Sequence, residues 1–201
     1  MDHEPSITPR PRLEPEHSLA GRILVAMPGI DDERFEHAVI LVCAHTDEHA
    51  LGVRLDQPAR GVTLARVMER LGIEMDLPNA DAPVLSGGPV ERERGFVIHS
   101  DDWRIEEATL PIRPGLGLTT TREALLALSG ISEGPRRAFL ALGYAGWDAG
   151  QLEGELLENV WLTLDADEAL IFDDDYAGKW SRALALLGIN AANLSSLSGH
   201  A

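Results

Sequence analysis

Apolar residues in this chain form two kinds of segment: short continuous runs, and stretches spaced three or four apart. Ile23-Leu24-Val25-Ala26-Met27 is a continuous run stopped by Pro28-Gly29, which predicts a buried strand. Residues 38–44 predict a second, and 51–55, with alternating character, a third. Leu64, Val67, Met68 and Leu71 follow helical spacing, and Gly72 suits the end of that helix. Val84-Leu85 and Gly95-Phe96-Val97-Ile98-His99 flank Gly87-Gly88-Pro89 and predict a strand pair joined by a loop. Leu116-Gly117-Leu118 leads to Thr120, which forms a capping box with Glu123 for a helix through Leu125 and Leu126.

Residues 138–142 predict another buried strand, feeding a turn that holds Gly143, Tyr144, Gly146 and Trp147. Asp148 with Gln151 then resembles a second capping box, and Leu152, Leu156, Leu157, Val160 and Trp161 share one helical face. Residues 169–172 predict a short strand; Trp180, Ala183, Leu184 and Leu187 predict a last helix, ended by Gly188. There is no internal repeat and no internal linker. Strands and helices in irregular order indicate an α/β fold, or alternatively α+β: a compact single domain with a mixed β-sheet packed with helices.

Residues 1–18, with Pro5, Pro9, Pro11 and Pro15 among charged residues, read as a flexible tail, leaving 19–201 as the domain. A chain of 201 residues with 44% hydrophobic content buries a substantial core without staples. The single cysteine, Cys43, excludes an intrachain disulfide and, inside an apolar run, is expected to be a buried, inert thiol. That fits a reducing cytoplasm. The sequence has neither a signal-type apolar segment nor a run of roughly 20 apolar residues, so a cytoplasmic protein without membrane association is expected.

The net charge is −16, from 33 acidic and 17 basic residues, and Lys179 is the one lysine. Binding to nucleic acid rests on cations that neutralise phosphates. Arg10/Arg12, Arg92/Arg94 and Arg136/Arg137 are pairs and form no patch. Direct DNA binding is therefore disfavoured, and solubility or attraction to a basic partner is the better reading.

Phosphate-loop and dinucleotide fingerprints are absent. Two glycine-dense segments remain as candidate ligand or partner surfaces. One holds Gly87, Gly88 and Pro89, where the exposed glycine N–H groups would face a ligand or an oxyanion. The other holds Tyr144, Gly146, Trp147, Gln151 and Glu153, with the aromatics either contacting a partner or closing the core. Asp148, read as a helix cap, argues against phosphate at that helix start. His45 and His49 would share a face on a helix, but a turn between strands is the more natural setting, so no metal is expected. Asp173-Asp174-Asp175 are expected to cap the following helix. Ser86, His99 and Glu153 are the residue types for nucleophile, base and acid, though no spacing brings them together. His99 otherwise reads as a strand-end residue with an ordinary hydrogen bond. No cofactor is implied.

Several of these segments, taken in order, resemble the motifs of the bacterial YqgE/AlgH family. They are Ala26-Met27-Pro28-Gly29, the run at 38–44 followed by His45, Ser86-Gly87-Gly88-Pro89-Val90, and Arg94-Gly95-Phe96-Val97-Ile98-His99. Gly143-Tyr144-Ala145-Gly146-Trp147, Gly150-Gln151-Leu152-Glu153, Asn159-Val160-Trp161-Leu162, the Trp180 helix, Gly188-Ile189 and Ser198-Gly199-His200-Ala201 continue the series. The resemblance spans about Leu19 to Ala201. It implies a compact single-domain α/β protein of the bacterial cytosol, in a largely uncharacterised family. Some members are described as transcriptional regulators, notably in alginate control. The family has no established catalytic residues to carry over. This chain departs from the pattern at Leu55-Asp56-Gln57-Pro58, where Asn-Arg-Pro is usual, and at Thr121, where serine is common.

The leading expectation is a regulatory protein that binds an unidentified ligand or protein partner, acting indirectly on transcription. Small-molecule catalysis by carboxylate and histidine acid–base chemistry around Glu153 and His99 is the alternative from another class. Direct DNA binding is the third.

Overall fold

The computed structural model describes residues 18–75, 80–191 and 194; residues 1–17 of the expected tail and the Ser198–Ala201 motif lie outside the described residues. The strands are β1 (Arg22–Ala26), β2 (Val39–His45), β3 (His49–Arg54), β4 (Pro58–Thr63), β5 (Pro83–Ser86), β6 (Val90–Ser100), β7 (Thr109–Arg113), β8 (Leu116–Thr119), β9 (Ala138–Asp148) and β10 (Trp161–Asp165). The helices are α1 (Leu64–Arg70), α2 (Arg122–Ser129), α3 (Gln151–Leu157), α4 (Glu168–Ile171) and α5 (Lys179–Leu186), with a 3₁₀ turn at Glu33–Phe35. The result is the mixed α/β single domain expected.

One curled sheet runs β10-β1-β2-β3-β9-β6-β8-β7, with β4 and β5 attached beside β9. Every pairing is antiparallel except β5 with β9, which makes the sheet mixed. The continuous apolar runs follow from burial of both faces. In β2, Val39, Leu41 and Cys43 enter the largest core, while Ile40 and Val42 enter a second core on the opposite face. Helices α4 and α5 pack on the first; α3 and the 3₁₀ turn cover the second; α1 and α2 cover a third, around Met68, Val97 and Leu140. Burial of Cys43 pushes its thiol far above the ordinary range.

Several elements differ from the sequence reading, each for a local reason. Val84-Leu85 and residues 95–99 are strands, but they do not pair with each other: β9 lies between β5 and β6. Gly143–Trp147 is the second half of β9 and not a turn. There Gly143, at φ 75°, acts as a bulge residue. Before it Ala141 faces the largest core; after it Tyr144 does, so the alternation slips by one.

The α3 cap is Gly150, not Asp148, although one arm of the expected box exists: the Asp148 N–H donates to Gln151 Oε1 at 3.0 Å. Asn159, at φ 57°, ends the helical path, so Trp161 opens β10 and Leu157 is left 84% exposed. Residues 168–171 are a helix where a strand was expected, because the Asp167 carboxylate accepts the Leu170 N–H at 3.0 Å and caps it. The α2 cap is Thr121, one residue later than Thr120, and its side chain makes no capping bond. Asp173–Asp175 do sit at the entrance to α5. Asp175 accepts the N–H of Gly178, the cap residue, at 3.1 Å, and both Asp173 and Asp175 pair with Arg182.

Candidate functional site

The two glycine segments do meet, backbone against backbone. A Cβ placed on Gly87 would lie 2.2 Å from the Gly143 carbonyl oxygen, and one on Gly88 would lie 2.0 Å from the Tyr144 carbonyl carbon. No side chain fits at such a crossing. The Gly87 N–H donates to the Leu142 carbonyl at 2.8 Å, and the Gly87 carbonyl accepts from the Arg54 N–H at 2.9 Å. Gly87 is thereby committed to the sheet, contrary to the expected ligand-facing amide.

The crossing places Pro89 and Val90 beside Gly146, Trp147 and Gln151 in a cleft of about 510 Å³. Phe35, Trp147 and Trp161 supply its aromatic walls. The Phe35 and Trp161 rings meet edge to face at 5.8 Å, and Trp147 and Trp161 at 6.2 Å. Glu155 from α3 joins them. Its Oε2 accepts the Trp147 indole N–H at 2.9 Å and the Trp161 indole N–H at 2.6 Å, while its Oε1 accepts the Gln151 amide at 2.9 Å. Three donors of fixed direction orient this carboxylate. Asp31, Asp32 and Glu158 add negative charge to the lining, against the one cation Arg34. Arg34 is turned onto Asp32 at 2.6 Å, and that bond holds the Asp32 carboxyl below its usual range. Arg54 braces the wall carrying Phe35. Its guanidinium donates to the Arg34 and Glu36 carbonyls and forms a buried pair with Asp56 at 2.7 Å. Asp56 also accepts the Val39 N–H at 2.9 Å, so the departing Leu55–Pro58 turn is filled by an internal carboxylate.

The aromatic candidates divide. Trp147 is 5% exposed and closes the second core, and the half-buried Tyr144 faces the first, 5.6 Å from the Phe96 ring. They point to opposite faces of β9 and make no common contact surface. Trp147 reaches the cleft; Tyr144 does not line it.

The acidic and basic candidates also separate. Glu153 projects from α3 to His45, with Oε1 2.7 Å from Nε2. Because His45 Nδ1 accepts the Leu19 N–H at 3.0 Å, the proton at Nε2 donates to Glu153. The His45 side chain is 2% exposed, so this pair fastens α3 to the end of β2. His45 ends β2 and His49 opens β3, as a turn requires.

His99 is wholly buried. Its Nδ1–H donates to the Ser100 carbonyl at 2.9 Å, which leaves Nε2 to accept the Thr119 hydroxyl at 2.9 Å. Thr109 in turn donates to Thr119 at 2.8 Å and accepts the Ile105 N–H at 2.9 Å. Each donor in this relay has its acceptor, and burial lowers the His99 pKa. His99 pairs with Ala138 at the far end of β9 from Trp147, so it is not part of the cleft. The carboxylate–histidine set imagined around Glu153 is therefore not assembled with His99.

Sequence reading missed Glu155, Trp161 and Phe35 as a unit. The i, i+4 spacing of Gln151 and Glu155 was a usable signal. Trp161 was obscured by its placement on the helix, and Phe35 lies more than a hundred residues from its ring partner Trp161.

Comparison with known proteins is consistent along nearly the whole chain. The model of the AlgH-like family matches residues 23–192. A UPF0301 protein of Caulobacter vibrioides (strain NA1000 / CB15N) is 51% identical over 183 residues, covering 91% of this chain and 94% of its own. One from Methylocella silvestris is 50% identical over 190 residues, covering 91% and 92%. Among solved structures, the AlgH protein from Pseudomonas aeruginosa superposes with a TM-score of 0.74 at 36% identity, covering 94% of this chain and 98% of its own. A Corynebacterium diphtheriae protein shares the fold at TM-score 0.67 and 20% identity, covering 83% and 85%. The chain belongs to the AlgH-like family.

Proposed function

We propose that this protein is a regulatory, partner-binding protein whose cleft receives a cationic side chain of a protein partner. The observation that carries the reading is the oriented Glu155 carboxylate between two indoles in an open, acidic cleft. Aromatic faces and carboxylates together favour a guanidinium or ammonium carried on an apolar stem. The −16 charge of the chain steers a basic partner toward it and repels nucleic acid. Any effect on transcription then passes through the protein partner.

The test titrates a short arginine-rich peptide and follows tryptophan fluorescence. Asp31→Asn/Glu158→Gln removes rim charges and leaves the Glu155 network intact. Binding should weaken about tenfold and lose much of its salt dependence. Equal affinity of wild type and variant rejects the cleft as the site. A mobility shift of promoter DNA at low salt by the wild type would reject the indirect route.

A further inference from the structure

A second pocket, of about 390 Å³, shares no lining residue with the cleft. It exists because β5 pairs with β9 at Leu85–Ala141 and Ser86–Leu142, whereas β6 continues along β9 to Ala138. Among the described residues, 138–140 therefore have a strand neighbour on one side only. The end of α2 and the α4–α5 connection wall off the gap.

Two features of the lining are chemically specific. First, Phe139 and Phe172 meet edge to face at 5.9 Å, offering ring surface. Second, Arg136 and Arg137 stand at the mouth. The Arg137 guanidinium lies 5.6 Å from the Phe172 centroid and is in no ion pair among the described residues. Arg136 stands near the Asp102 carboxylate and, after the Ser100 hydroxyl, helps hold it below its usual range.

Their backbone is pinned. The Arg137 N–H donates to Ser100 Oγ at 3.1 Å, its carbonyl accepts the Ser100 N–H at 2.9 Å, and the Arg136 N–H donates to Asp102 at 3.0 Å. The one carboxylate in the lining, Asp173, is already committed to Arg182 at 2.8 Å and to the Asp175 N–H at 2.6 Å. Behind the same wall the Lys179 ammonium donates to the Leu170 and Asp173 carbonyls, both at 2.8 Å. In a strongly acidic protein, this pocket gathers cations around aromatic rings.

We propose that this pocket binds a small aromatic anion, with its flat ring against Phe139 and Phe172 and its carboxylate or phosphate on Arg136 and Arg137. A guanidinium already held over a ring is poised for such a group, since its N–H donors have no side-chain acceptor among the described residues and can reach two oxygens. The volume lies within the range of small-molecule sites. The proposal is independent of the cationic-partner cleft.

Lys179 supplies a probe, because it is the one lysine in the chain and lies just behind the pocket wall. Lysine-labelled protein gives a single side-chain NMR signal, whose titration is expected near pH 8 in the free protein. Adenosine monophosphate and 1-naphthoate are titrated separately, with adenosine and inorganic phosphate as controls lacking the anion or the ring. Saturable binding by the first marks a phosphate ligand, and by the second a carboxylate. In either case the Lys179 midpoint should rise and both controls should bind at least tenfold more weakly. Arg137→Gln keeps a stem over Phe172 and removes the charge; it should weaken binding about tenfold without changing the melting temperature. Affinity unchanged by Arg137→Gln, or no saturable response to either probe, overturns the proposal.

Discussion

Glu155 shows how much one residue's role depends on what surrounds it. Its carboxylate serves three N–H groups that come from α3, β9 and β10. Glutamine in its place brings one amide oxygen and two N–H donors into a site that already holds three donors. Glu155→Gln should therefore cost about 1–3 kcal/mol, read as a lower urea midpoint with a changed tryptophan emission maximum. An unchanged midpoint would show that the network orients the cleft without stabilising the fold. The sequence made Trp147, Gln151 and Pro89 visible as candidates, and they do share the cleft. It did not reveal that Glu153, two residues away, turns to the buried His45.

At the scale of elements, local pattern and tertiary pairing share the decision. The runs at 23–27 and 38–44 are strands because five or more apolar residues in a row can be buried only between two cores. Residues 169–172 show the opposite case: four apolar residues suit either element, and the Asp167 cap selects the helix. That helix is closed at its C-terminal end by Lys179 from α5, whose ammonium also reaches the Ile171 carbonyl at 3.3 Å.

Burial lowers the Lys179 pKa from 10.5 to about 8. The unfolded chain then holds the proton more tightly than the folded one between these values. Stability should rise with pH through that window, and the charged-lysine penalty at pH below about 8 is on the order of 3 kcal/mol. The check is denaturant unfolding of wild type against Lys179→Met from pH 7.5 to 10.5 (about three units across both pKa values). The wild type should gain on the variant as pH rises, and a parallel pH dependence would refute the linkage.

Across the whole molecule, charge and topology act together. With 33 acidic against 17 basic residues, the folded chain repels itself more than the expanded one does. Raising ionic strength from low to physiological should screen this and lift the melting temperature by about 2–4 °C, measured by calorimetry. A fall in melting temperature would mean that the attractive pairs, such as Arg22–Asp165, outweigh the repulsion.

The sequence by itself determined the fold class, the buried strands, the helix around Trp180 and the family, because periodicity and glycine placement are local and survive without coordinates. Only the tertiary structure decided that β9 separates β5 from β6 and that the alternation of β9 slips by one at Gly143. It also decided which carboxylate meets which indole. Those outcomes depend on contacts between residues far apart in the chain, and spacing along a sequence carries no distance across space.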